Sequence, residues 1–263
     1  MGILNVTPDS FSDGGRHLAT DAAVAHLRAM ARAGAAIVDV GAESTRPGAA
    51  RVSGPEQRRR LEPVFAALRG DPPVAISIDT TRAEVAEAAL AAGASIINDV
   101  SAGREEPEIL DLAAERGAGV VLMHMRGEPG TMQEDPRYDD VVGEVTAFLG
   151  ARAAHARDCG IAPSAIMLDP GIGFGKTLAH NVALLRGLSR IVELGHPVLV
   201  GISRKSMLGA LTDRPSVRDR LAGSLAGALA AVAAGASVVR VHDVRDTVDA
   251  LAVWGAVHGE ETA

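Results

Sequence analysis

Residues 165–176 read AIMLDPGIGFGK: an apolar run suited to a buried strand stops at an aspartate, and three alternate glycines and a lysine follow. The same plan recurs at residues 198–206, VLVGISRKS, whose turn carries Lys205. Lys176 and Lys205 are the only lysines in the chain; every other strongly basic side chain is arginine. Six further strand-like runs also end in polar residues: Asn5, Asp39, Asp79, Asn98, His124, and Arg240 with His242. Near-continuous apolar runs belong to parallel sheets covered on both faces. Polar residues where every run stops mark the face on which a (β/α)8 barrel builds its site.

Working outward, short β-branched runs alternate with amphipathic alanine- and arginine-rich segments. Strands are predicted over residues 2–6, 36–40, 74–78, 95–98, 119–123, 165–168, 198–202 and 238–241. Helices are predicted over 20–33, 55–68, 82–92, 107–116, 138–158, 178–194, 217–234 and 244–257. Gly34, Gly93, Gly117, Gly160, Gly195 and Gly235 fall just past predicted helices, where helices commonly end. The expected architecture is α/β, a single-domain (β/α)8 TIM barrel over residues 1–263, with an open doubly wound sheet as the alternative. Long loops follow the first, second and fifth strands, at residues 7–19, 41–54 and 127–137. Loops of that length in compact domains are often binding elements.

A chain of 263 residues that is 47% hydrophobic can bury one full core. Aromatic content of 2% argues against stacking platforms for nucleic acid, and a net charge of −7 argues against a polyanion-binding surface. A lone cysteine, Cys159, cannot form an internal disulfide and fits a reducing compartment. The chain enters a strand at once, without a secretory n-region and h-region, so a cytoplasmic location is expected. The most apolar stretch, residues 221–239, contains Gly223, Ser224, Gly227, Gly235 and Ser237 and reads as a helix running into a strand, not a membrane span. Gly223 and Gly227 permit close helix approach, either inside the fold or across a dimer.

Residues 168–177, LDPGIGFGKT, superficially resemble two phosphate motifs and satisfy neither. Pro170 stands where a Walker A loop needs its first glycine, and Lys176 where a dinucleotide fingerprint needs its last. What remains is Asp169 and a glycine turn that lets backbone approach whatever that carboxylate binds. Asp79 and Asp169 both end apolar strands, and a buried carboxylate needs a donor. Either arginines supply it internally, or a planar ligand edge such as an aminopyrimidine does. Asn98, both donor and acceptor, suits the mixed edge of the same ring. Arg240 and His242 are two apart, share one strand face and, with Lys205, form a cationic group in the mouth. Asn5 offers an oxygen that can hold Mg²⁺ shared with a phosphate, or else caps the Thr-Pro-Asp turn after it. Arg46, in a loop turned sharply by Pro47 and Gly48, can clamp an anion.

Eight stretches, in order, resemble the dihydropteroate synthases, a family of folate-pathway enzymes. They are MGILNVTPDSFSDGG (1–15), VDVGAESTRPG (38–48), ISIDT (76–80), INDVSAG (97–103), LMHMRGEPGTMQ (122–133), LDPGIGFGKT (168–177), VGISRKSML (200–208) and RVHDV (240–244). The resemblance implies a barrel that joins 6-hydroxymethyl-7,8-dihydropterin diphosphate to p-aminobenzoate and releases pyrophosphate. By it, Asp79, Asn98, Asp169 and Lys205 form the pterin pocket, with Asp39 nearby and Met123 and Phe174 lining it. Arg240 lies against the ring and, with His242 and Asn5, holds the diphosphate and Mg²⁺. Phe11, Asp13, Thr45, Arg46 and Pro47 come from the first two loops, and Ser206 beside Lys205 walls the aminobenzoate site. Asp79, Lys205, Arg240 and Arg46 are then the catalytic set, Asn5 the metal ligand, and a cytoplasmic homodimer the expected state. Two departures stand out: the chain opens at MGILN without the residues that commonly precede it, and Ala42 replaces a usual glycine. The pterin-dependent methyltransferases and a non-catalytic pterin binder are the rival readings.

Overall fold

Eight parallel strands close into a ring, and the closure explains why polar residues from distant parts of the chain meet. The computed structural model describes residues 1–6, 15–43, 51–70, 72–128 and 130–259, the side chains of 15–19 excepted. Strands β1 (Gly2–Asn5), β2 (Ile37–Gly41), β3 (Ala75–Asp79), β4 (Ile96–Asp99), β5 (Gly119–Met123) and β6 (Ile166–Asp169) form one sheet in sequence order. Strands β7 (Leu199–Val200) and β8 (Val238–Val239) form a second. Two isolated parallel bridges, Leu168 to Val198 and Gly2 to Val241, join the sheets at both edges. The (β/α)8 expectation therefore holds, and the open sheet is excluded.

Helices α1 (Gly15–Arg32), α2 (Gly54–Leu68), α3 (Ala83–Ala91), α4 (Glu108–Arg116), α5 (Val141–Asp158), α6 (Leu178–Arg186), α7 (Ser189–Val192), α8 (Ser206–Thr212), α9 (Leu221–Ala233) and α10 (Val244–His258) surround the ring. Val38, Val40, Ile78, Leu122, Leu168 and Val200 are fully buried, as a sheet covered on both faces requires. Asp140 caps α5 by accepting from Gly143 N at 3.0 Å, and Thr177 with His180 makes a capping box on α6.

Several boundaries differ from the sequence expectation. Thr20 and Asp21, which look like a helix start, lie inside α1, because tertiary context overrides local propensity. The helix expected over 178–194 breaks into α6 and α7 at Gly187, where an added Cβ would stand 2.8 Å from Val142 of α5. The helix expected from residue 217 begins as a 3₁₀ turn, Val217–Arg220. Ser206, expected in a loop, opens the seven-residue α8. The last two strands are also shorter than expected, with only two residues each in ladder pairing.

Gly223 and Gly227 serve internal packing: an added Cβ would lie 3.4 Å from Leu208 at the first and 2.8 Å from Ile202 at the second. Ala42 is not among the described non-glycine residues with positive φ, which are Ala102, Arg204 and Asp213, so its replacement of glycine carries no backbone strain there. No helix among the described residues is long and apolar enough to cross a membrane.

Candidate functional site

The ladder registers put the chemistry on one level. Asn5 pairs with Gly41, Gly41 with Asp79, and Asp79 with Asn98, so three polar strand ends face the C-terminal mouth together. Gly41 makes room at this level, since a Cβ there would sit 3.3 Å from the Asp79 Cβ. Two residues lower, and so on the same strand face, Asp39 pairs with Ser77 and is wholly buried.

Arg240, just beyond β8, reaches across the mouth. Its Nε donates to Asp39 Oδ2 at 2.7 Å and its Nη2 to Asp79 Oδ2 at 2.9 Å. Asn98 Nδ2 donates to the same Asp39 oxygen at 2.9 Å. The internal-arginine alternative is thus realised for Asp79, whereas the Asp169 carboxylate makes no ion pair with an arginine among the described residues. One guanidinium serves two buried carboxylates. Burial and then the Asp39 charge push Asp79 up to about 7, with Arg240 pulling the other way. Two carboxylates served by one guanidinium have acceptor oxygens to spare, which suits a ring that presents N–H groups.

Asp169 ends β6 and accepts from Gly171 N at 2.7 Å; burial raises its pKa, against the nearby Lys205 charge. Lys205 Nζ donates to Ile172 O and lies 4.7 Å from the Phe174 ring centroid. Burial lowers Lys205 to about 8, opposed by Asp169 and assisted by Arg240. Phe174 packs with Val100, Met123, Met125 and Met132, so the two expected lining residues share one apolar cluster. His242 Nδ1 lies 3.1 Å from the Ser203 hydroxyl, which also accepts from His242 N at 3.2 Å. Arg204, at φ 60, ion-pairs with Asp243 and ties the Lys205 turn to the His242 turn.

Asn5, Asp39, Asp79, Asn98, Met123, Asp169, Phe174, Lys205, Arg240 and His242 therefore ring one mouth or sit directly beneath it. Phe11, Asp13, Ser44, Thr45, Arg46 and Pro47 lie outside the described residues. The described roots of the second loop are firmly held. Glu43 accepts from Gln57 Nε2 at 2.8 Å and from Val52 N at 3.2 Å, and the Ala42 carbonyl accepts from Arg60 at 2.9 Å. Buried Gln57 in turn accepts from Thr80 Oγ1 at 2.9 Å, linking that loop base to the residue after Asp79.

Sequence reasoning missed this network and also Asp99. The Asp99 carboxylate accepts from Ser101 N at 2.7 Å and Gly103 N at 2.6 Å. An aspartate with Ser-Ala-Gly two to four residues on, as in Asp-Val-Ser-Ala-Gly, is a turn signal that points to such a role. Lys176, noticed as unusual, is buried behind the site, where burial brings it down to about 7.

The glycine turn after β6 is built by contact. A Cβ on Gly175, at φ 63, would stand 2.1 Å from the Arg126 carbonyl oxygen. Gly175→Ala is expected to cost about 2–5 kcal/mol through strain and overpacking, lowering Tm by roughly 5–15 °C. Thermal denaturation checks this; an unchanged Tm would mean that the turn relaxes freely.

A sequence model of the pterin binding enzyme family matches residues 1–242. Dihydropteroate synthase of Neisseria meningitidis serogroup C is 52% identical over 260 residues, covering 98% of this chain and 92% of its own. The solved structure of Xanthomonas albilineans dihydropteroate synthase with 4-aminobenzoic acid superposes with a TM-score of 0.92 at 51% identity, covering 98% of this chain and 92% of that one. The same enzyme in complex with 7,8-dihydropteroate gives a TM-score of 0.88 at 48% identity, with 98% and 92% covered.

Proposed function

This chain belongs to the pterin-binding enzyme family, and on that premise we propose that it is a dihydropteroate synthase. As such it is a transferase that joins 6-hydroxymethyl-7,8-dihydropterin diphosphate to p-aminobenzoate, releasing pyrophosphate and forming 7,8-dihydropteroate. The observation that carries the reading is the acceptor-rich cluster of Asp39, Asp79 and Asn98 around Arg240, with Asp169 and Lys205 in the same mouth.

Asp79, Asn98 and Asp169 bind the nitrogen-rich edge of the pterin, and Met123 and Phe174 flank its faces. Lys205 approaches from the β7 side, and Arg240 lies against the ring. Loss of diphosphate requires negative charge to be neutralised on the leaving group, the task of Arg240, His242 and, from the second loop, Arg46. The electron-rich ring delocalises the positive charge left on its methylene, so a dissociative path needs no strongly activated nucleophile. The weakly basic aryl amine then attacks. Thr45, Pro47 and Ser206 build the aminobenzoate site, and Phe11 and Asp13 cover the diphosphate, excluding water.

Asn5 suits Mg²⁺. Its carboxamide makes no hydrogen bond to another described residue and stands level with Asp79 and Asn98. Mg²⁺ commonly takes few protein oxygens and completes its shell with substrate phosphate and water. When bound, Mg²⁺ neutralises charge on the departing diphosphate. Sulfonamides, which imitate p-aminobenzoate, are the expected inhibitors. A cytoplasmic homodimer is the expected state, and exposed Leu178, Leu211, Val253 and Val257 on α6, α8 and α10 supply apolar surface for it.

Incubation with the pterin diphosphate, Mg²⁺ and labelled p-aminobenzoate should yield labelled dihydropteroate. Methyl transfer, or binding without product, rejects the assignment. Arg46→Ala is expected to lower kcat by about 10²-fold or more while changing pterin affinity little. Equal losses in kinetics and calorimetry would remove Arg46 from the leaving-group role.

A further inference from the structure

Lys176 is 2% exposed, yet no carboxylate lies within ion-pair distance of it among the described residues. Its ammonium is instead shared among three acceptors: His124 Nδ1 at 2.9 Å, the His124 carbonyl at 3.2 Å and the Phe174 carbonyl at 3.0 Å. These acceptors come from two segments, the end of β5 and the glycine turn after β6. A buried amine whose opposite charge, on Asp169, stands beyond ion-pair distance is costly to keep protonated, so its retention calls for a reason beyond filling space.

The reason lies in what the turn presents. Phe174 N donates to Gly171 O at 3.0 Å, and Gly171 is pressed so closely on His124 that a Cβ would stand 1.9 Å from the His124 carbonyl oxygen. From the β7 side, Lys205 Nζ donates to Ile172 O and sits 4.7 Å from the Phe174 ring centroid. The only two lysines of the chain thus both hold one short turn, one at the residue 172 carbonyl and one at the residue 174 carbonyl. A tetrahedral ammonium with three donors matches three converging acceptors, whereas a planar guanidinium fork does not.

We propose that Lys176 is a positioning residue, whose ammonium fixes the backbone at Phe174 so that the Phe174 ring forms the pterin-pocket wall beneath Lys205. The inference rests on the pterin-binding reading given above. Its test uses Lys176→Met, which keeps the stem without donors, and Lys176→Gln, which keeps an amide donor. Pterin affinity by calorimetry, kcat, KM for p-aminobenzoate and Tm are measured for each.

Lys176→Met is expected to weaken pterin binding at least about tenfold, with a smaller loss in kcat, and Lys176→Gln to recover part of the affinity. A lowered Tm with wild-type pterin affinity and kinetics, measured well below the transition, would overturn the proposal and leave Lys176 a purely stabilising group. Should Lys176→Met fail to fold, the same criterion applied to Lys176→Gln decides. Wild-type protein that forms product beside unaffected variants refutes this inference alone. Wild-type protein that binds pterin without forming product refutes the synthase reading, and weakened binding in the variants then still supports the role of Lys176.

Discussion

Arg240→Ala is expected to reduce kcat/KM by about 10³-fold or more, the largest effect of any single substitution in this mouth. The guanidinium stands at the centre of every charge relation there. It joins Asp39 to Asp79 and is the strand-end cation proposed to face both the pterin and its leaving group. Its removal leaves two buried carboxylates without a counter-ion, and breaking such a pair by deleting one member costs about 3–5 kcal/mol. With the side chain 19% exposed, the lower end applies, so Tm is expected to fall by roughly 6–12 °C as well. Arg240→Lys separates the two effects. A single ammonium restores much of the charge balance and of Tm, yet cannot bridge both carboxylates as a fork does, so kcat/KM stays low. Wild-type turnover in Arg240→Ala would remove it from the site.

Asp79→Asn is expected to lower turnover by about 10²-fold while leaving stability at pH 8 equal to or above that of the wild type. The sign follows from the carboxyl group's raised pKa. Burial and the neighbouring Asp39 charge bring Asp79 from an ordinary 3.8 to about 7, so between those values the folded chain holds a proton that the unfolded chain has released. Stability therefore declines as pH rises through that window, and the decline is complete above it. Asparagine carries no such proton, and the variant's Tm should be flatter from pH 4 to pH 8. An identical slope in both proteins would mean that Asp79 is ionised throughout. Lost activity beside retained or improved stability is the signature of a carboxylate kept for a ligand.

The barrel was legible because its signal is local and repeated: eight apolar runs, each stopped by a polar residue. The meeting of polar strand ends was legible because Asp79, Asn98 and Asp169 follow strands too apolar to end in polar side chains by accident. What escaped notice depends on partners far apart in sequence. Gln57 looks like one more polar residue on α2, and only the fold sets it between Glu43 and Thr80. Lys176 stood out, but nothing near it in sequence names His124 as its acceptor. The seven-residue α8 was missed because so short a segment shows barely two turns of periodicity. Thr45 and Arg46 rest on resemblance, since local pattern offers only a sharp turn and a cation.

The ring is unevenly stitched. Strands β1 to β6 are laddered residue by residue, whereas β7 and β8 contribute two paired residues each and meet their neighbours through one isolated bridge at either joint. Asp39, Asp79, Asn98 and Asp169 ride on the well-laddered arc; Lys205, Arg240 and His242 follow the sparsely laddered one. Opposite charges thus sit on staves that the backbone alone hoops loosely, and a substrate gripped by both becomes the missing hoop. Occupancy should tighten the whole cask, so ligand-free molecules would breathe at these seams first.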